Sequence, residues 1–112
     1  MSLIYLASPY SDPDPGVRQA RFEATCRAAA VLMRAGEAVF APVCHSHPIA
    51  LHGGLHATAF DFWMRADRPL LEACTEVMVL RLPGWEQSRG IAEELRIAAE
   101  RGIPETYIEP DE

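Results

Sequence analysis

Lysine is absent from this chain. All ten basic residues are arginine, set against sixteen acids for a net charge of −6. The arginines are scattered and form no basic stripe, which argues against duplex nucleic acid as a partner. A planar guanidinium fork still suits a phosphate on a small ligand. CxxC spacing is missing too: Cys26, Cys44 and Cys74 are odd in number and far apart. That argues against a disulfide framework and leaves buried free thiols as the expectation. No apolar run approaches the roughly 20 residues of a membrane span, so no membrane association is expected. The opening MSLIYLASPY carries no basic leader and reads as a strand, so the default expectation is a cytoplasmic location.

What is present fits one globular domain, residues 1–112, with about half of its residues (49%) apolar. LIYLA (3–7) has the apolar, β-branched and aromatic character of a buried strand. SPYSDPDPG then enforces a loop. Apolar residues from Val17 to Ala35 suit an amphipathic helix ended by Gly36, and AVFAPV (38–43) reads as a second strand. Residues 44–60 have no clean period and read as a long loop with short helical turns. FDFWMRADRPLLEAC (60–74) reads as a helix with a bend or restart at Pro69. EVMVLRL (76–82) is a third strand. SRGIAEELRIAAERG (88–102) is a helix with Ser88 as N-cap and Gly102 as stop, and PETYIE (104–109) is a fourth strand.

Strands alternating with helices imply an α/β domain, its sheet mainly parallel with four to five strands and helices on both faces. Ligands of such sheets bind beyond the carboxyl ends of the strands. That edge gathers SPYS, PVCHSH and PGWEQSRG into one expected site. Among its residues, Glu93 and Glu94 follow a helix N-terminus, where Ser88, Arg89 and Gly90 offer free N–H groups to an anion. Acids also belong in a first turn simply because they complement the helix dipole. Asp67 is either a second pocket carboxyl or a cap for a helix beginning at Pro69. Two converging carboxyls would supply a nucleophile and an acid. Tyr5 is expected in the core with its hydroxyl seeking a partner. Tyr10 and Trp85 are loop aromatics able to stack on a base or cover a rim. His45 and His47 follow the second strand, so at least one of them is expected to face the pocket. His52 and His56 are four apart but lack an acidic third ligand, so no metal is expected.

Together, "IYLASPYS" (4–11), "WMRAD" (63–67) and "LPGWEQSRGIAEE" (82–94) resemble the nucleoside 2-deoxyribosyltransferase superfamily over nearly the whole chain. The nearest likeness is to a branch of small domains marked by PGWxxSxG. The resemblance implies a Rossmann-like, flavodoxin-like domain and cleavage or transfer at an N-glycosidic bond without any cofactor. Its substrate would be a (deoxy)nucleoside or nucleoside 5′-monophosphate. The family spacing falls on Ser88, Gly90 and Glu94, which makes Glu94 the nucleophile, Asp67 the group that protonates or orients the base, and Tyr5 the residue orienting Glu94. Serine at position 88, where the transferases carry an acid, resembles the deoxynucleoside 5′-monophosphate N-glycosidases. It implies a phosphate among Ser8, Ser11, Ser88 and Gly90. Tyr10, His45 and Trp85 complete the expected substrate contacts. The first loop departs from the N-glycosidase pattern, lacking its glycine and arginine. A homodimer or larger homo-oligomer is implied, with neighbouring subunits helping to close the site. Two rivals are a nucleotide-binding or sensing module without catalysis and a metal-dependent hydrolase built on the histidines.

Overall fold

Two apolar faces of one sheet organise the chain. In the computed structural model, which describes residues 2–110, four parallel strands stand in the order β2-β1-β3-β4: β1 Ile4–Ala7, β2 Val39–Phe40, β3 Glu76–Leu80 and β4 Glu105–Ile108. Alternate side chains of a strand point to opposite faces. Tyr5, Ala7, Val77 and Val79 therefore pack with Leu71, Ile91 and Ile97 on one face, while Leu6 and Leu80 pack with Ala28 and Ala29 on the other. The first face is covered by α3 (Phe60–Glu72) and α4 (Arg89–Arg101), the second by α1 (Pro15–Arg34). This division follows from right-handed crossovers. The chain steps one way from β1 to β2 and the opposite way from β2 through β3 to β4, so its helices change face. Strand order reverses between β1 and β3, and that is where a cleft opens at the carboxyl edge.

Helix α1 starts where Asp14 accepts from the Gly16 amide and Pro15 occupies the first turn. Helix α4 starts at the Ser88 cap and ends at Gly102 in the left-handed region, φ 70°. The region after β1–α1 differs from the sequence expectation. The second strand holds only Val39–Phe40, and Pro42–Gly53 forms helix α2 where a loop was expected. Pro42 has no N–H to give to a sheet ladder and suits the first turn of a helix, so it ends the strand and opens α2. The third strand likewise stops at Leu80, and a short 3₁₀ turn, Trp85–Gln87, follows Gly84. Helix α3 runs through Pro69 without a restart, so Asp67 lies within it and is no cap. Of the three thiols, only Cys74 is buried. Cys26 and Cys44 are half-buried and meet at 3.1 Å where α1 packs on α2. No helix among the described residues is long and apolar enough to cross a membrane.

Candidate active site

The Ser88 cap fixes the rotation of α4. Its Oγ accepts the Ile91 amide at 3.1 Å, and the helix then buries Ile91, Glu94, Ile97 and Ala98. These positions form one stripe at helical spacing, with a carboxyl in the middle of it. Neighbouring helical residues differ by about 100° in direction. Glu93 accordingly points outward, where Arg96 donates to its two oxygens at 2.9 and 2.6 Å. Glu94 is 5% exposed and reaches the sheet, where the Tyr5 hydroxyl, itself wholly buried on β1, donates to Oε2 at 2.5 Å.

Above this pair lies a cleft of about 460 Å³, lined at its floor by Glu94 and on its α3 side by Asp67, Met64, Trp63 and Phe60. Asp67 is 7% exposed. Both acids are pushed up by burial. Glu94 rises from 4.5 to about 8, opposed by the Tyr5 hydrogen bond and assisted by the nearby Asp67 charge. Asp67 rises from 3.8 to about 6, with His45 pulling the other way. Tyr5 is driven well above its ordinary value by burial first and then by the Glu94 and Asp67 charges. With these values the two acids together hold about one proton near neutral pH, mostly on Glu94.

The remaining expected residues divide into two groups. Ser8, Tyr10, Ser11, Ser88 and Gly90 all line the cleft. Ser8 is buried, its hydroxyl 3.0 Å from that of Thr25. A Cβ at Gly90 would meet nothing closer than the Ser88 Oγ at 3.8 Å, so the open cleft itself does not require glycine there. His45 and Trp85 stand outside the lining. Because α2 begins at Pro42, it turns Val43 and Ser46 to the cleft and leaves His45 exposed, its ring beside Phe40. Trp85 instead packs against Tyr107 of β4 and lies under Arg81. His47 is buried but faces a neighbouring chamber.

Sequence reasoning passed over Arg21 and Ser46 in the cleft and took Arg89 only for its backbone N–H. Arg21 of α1 spans the mouth, donating to the Ser11 and Pro83 carbonyls at 3.1 and 3.2 Å. Gly84, at φ 92°, leaves it room, since a Cβ there would lie 2.7 Å from the guanidinium. Arg89 lies 3.8 Å above the Phe60 ring. The Ser46 hydroxyl is buried without a hydrogen-bond partner. The arginines were legible only as unassigned anion ligands, and Ser46 was hidden by the missed helix. Among the described residues, no three of His, Cys, Asp and Glu gather closely enough to hold a metal ion.

A single α/β domain with a four-stranded parallel sheet and helices on both faces defines a flavodoxin-like fold. A solved 2-deoxyribosyltransferase from the psychrotolerant bacterium Bacillus psychrosaccharolyticus has this same fold. It matches 96% of this chain and 72% of its own with a TM-score of 0.67 at 21% identity. That enzyme is described as a biocatalyst for the synthesis of antiviral and antitumoral nucleosides. The chain belongs to the family described as Domain of unknown function (DUF1937), whose model matches residues 2–109. No curated protein matches it.

Proposed function

We propose that this protein cleaves, or transfers across, the N-glycosidic bond of a (deoxy)nucleoside or nucleoside 5′-monophosphate. The observation that carries the reading is the buried Tyr5–Glu94 hydrogen bond on the floor of a cleft that also holds Asp67. A structural role alone gives no reason to bury two carboxyls with raised pKa values beside an open cleft. The likeness to the PGWxxSxG branch and to the monophosphate N-glycosidases belongs to this proposal.

A Glu94 carboxylate oxygen attacks C1′, the C1′–N bond breaks, and its electron pair leaves with the base. Asp67 delivers the proton that the departing nitrogen takes up. Water, or the nitrogen of an acceptor base, then attacks C1′ and releases Glu94 while its proton returns to Asp67. This cycle needs one proton on the pair. Glu94 is the more strongly raised of the two, so the reacting form requires that proton to move to Asp67, with the Tyr5 hydroxyl stabilising the Glu94 charge. A 5′-phosphate would meet the α4 N-terminus at Ser88 and Gly90, with Arg21 and Arg89 as the cations that also line the cleft. A neighbouring subunit of a homo-oligomer would help to close the open mouth.

Incubation with a panel of nucleosides and their monophosphates, followed by chromatography of the free base, tests the reading. Base release from at least one substrate is expected. Saturable binding with no release would leave a nucleotide-binding module in its place.

A further inference from the structure

His47 takes no part in the reaction above, yet it is only 7% exposed and fully engaged. Its ring stacks on Phe22 of α1 with centroids 4.3 Å apart and a 27° angle between planes. Its Nε2 lies 2.9 Å from Gln19 Oε1, and its Nδ1 lies 2.6 Å from the Tyr10 hydroxyl. These contacts have one direction. The Gln19 amide nitrogen donates to Glu23 at 3.1 Å, which turns the Gln19 oxygen toward the histidine. Nε2 must then carry the proton, Nδ1 is the acceptor, and the Tyr10 hydroxyl donates to it. Burial and the Arg18 charge hold His47 below the ordinary imidazole value, against a weaker opposing pull from Glu23, a direction that favours the neutral ring.

The chain of bonds ends at a residue with a particular place. Tyr10 lines the cleft above Glu94 and also a second, more open chamber of about 850 Å³ that runs past Arg18, Gln19 and His47. Ser11, Asp12, Ala50, Ala57 and Thr58 also line both, so Tyr10 is one part of the partition between the two. It is carried by the proline-rich loop after β1, in which no regular hydrogen-bonded element fixes it.

We propose that His47, backed by Gln19, is the positioning residue that holds Tyr10 in this partition and thereby sets how tightly substrate is held. The identity of the substrate rests on the proposed function; the positioning does not. Tyr10 touches the ligand, and His47 acts only through it. Loss of the acceptor at Nδ1 would free the ring to swing, joining the two chambers and loosening the grip on substrate without altering the reacting groups on α3 and α4.

The test has a spectroscopic and a kinetic arm. In the ¹⁵N-labelled protein, His47 is assigned by comparison with His47→Asn, and an unprotonated Nδ1 with a protonated Nε2 is expected at neutral pH. Tyr10→Phe should shift that Nδ1 resonance. A protonated Nδ1, or no response to Tyr10→Phe, overturns the proposal whether or not the protein turns over nucleosides. For the substrate found in the panel, His47→Phe keeps the stack on Phe22 and removes the acceptor, so KM should rise about tenfold with kcat within about twofold. His47→Asn, which can offer an acceptor near Nδ1, should recover most of the loss. His47→Phe should add nothing in a Tyr10→Phe background. A fall in kcat, equal losses in the two His47 variants, or additivity with Tyr10→Phe would each contradict it.

Discussion

Helices α2 and α4 both begin at the carboxyl edge of the sheet, and each buries one polar residue within an otherwise apolar stripe. In α4 the stripe is Ile91, Glu94, Ile97; in α2 it is Val43, His47, Ala50. Each polar residue accepts a hydrogen bond from a tyrosine hydroxyl, Tyr5 of β1 for Glu94 and Tyr10 of the loop after β1 for His47. The difference lies in what surrounds them. Glu94 opens onto the cleft as one of two acids with raised pKa values, whereas His47 lies off the cleft, held among Phe22, Gln19 and Tyr10. In both helices the polar residue at the stripe position marks a built interaction, and the two differ in their access to the cleft.

The largest expected effect breaks this symmetry within α4 itself. Glu94→Ala should lower the rate of base release by several powers of ten, since it removes the proposed nucleophile. Glu93→Ala should stay within about twofold, because it deletes only a solvent-facing pair with Arg96. Equal losses would mean that direction around the helix does not select the working acid.

The carboxyl pair sets the next effect. Below about 6 both acids are protonated and no nucleophile remains; above about 8 both are ionised and no proton is available for the base. A plot of kcat/KM against pH should therefore be bell-shaped, with limbs near those values that belong to the pair rather than to either residue. A rate that keeps rising above pH 9 or so would remove Asp67 as the acid.

How much of this was legible follows from the same two helices. Ser88 and Gly102 supply a cap and a stop in sequence, so α4 could be read locally, whereas the choice of Glu94 over Glu93 came from the family spacing of Ser88, Gly90 and Glu94. Helix α2 has no side-chain cap at Ala41, a proline inside it at Pro48, and a histidine where its stripe needs an apolar residue. Its period was therefore masked, and residues 44–60 read as a loop. Reading Val43, His47 and Ala50 as i, i+4, i+7 would have revealed it. His45 was placed in the site because a strand running to Val43 would have delivered it to the sheet edge; the early start of α2 presents Ser46 there instead. Asp67 followed from its motif, and only the fold shows that it lies in mid-helix under a cleft. The partners of Arg21 and His47 are distant in sequence and follow no local pattern.

Stability gives smaller effects. Because the Glu94 pKa is raised by folding, the fold favours its protonated form. That stabilisation is complete below about 4.5 and is lost as pH rises through about 8. Glu94→Gln cannot ionise and still offers Tyr5 an oxygen. It should raise the melting temperature at about pH 9, by an amount worth a few kcal/mol at most, and change it little at about pH 5. The reverse trend would place an ionised Glu94 in the folded protein.

The smallest effect concerns the α4 cap. Ser88→Ala should cost about 1 kcal/mol in thermal or urea denaturation by freeing the Ile91 amide, whereas Ser88→Asp should keep the cap. The same aspartate should weaken a nucleoside monophosphate more than its nucleoside through charge repulsion. Equal affinity of Ser88→Asp and the wild type for the monophosphate would leave a nucleoside site without a phosphate subsite.

The central claim is that Glu94 bonds covalently to the sugar. A 2-fluoro-2-deoxy nucleoside, whose fluorine slows the second displacement, can trap that species for intact-protein and peptide mass spectrometry. The account predicts one added fluorosugar, carried on Glu94 in the peptide from α4 and absent from Glu94→Ala. An adduct on Glu93, or base release with no adduct under single-turnover conditions, would contradict it.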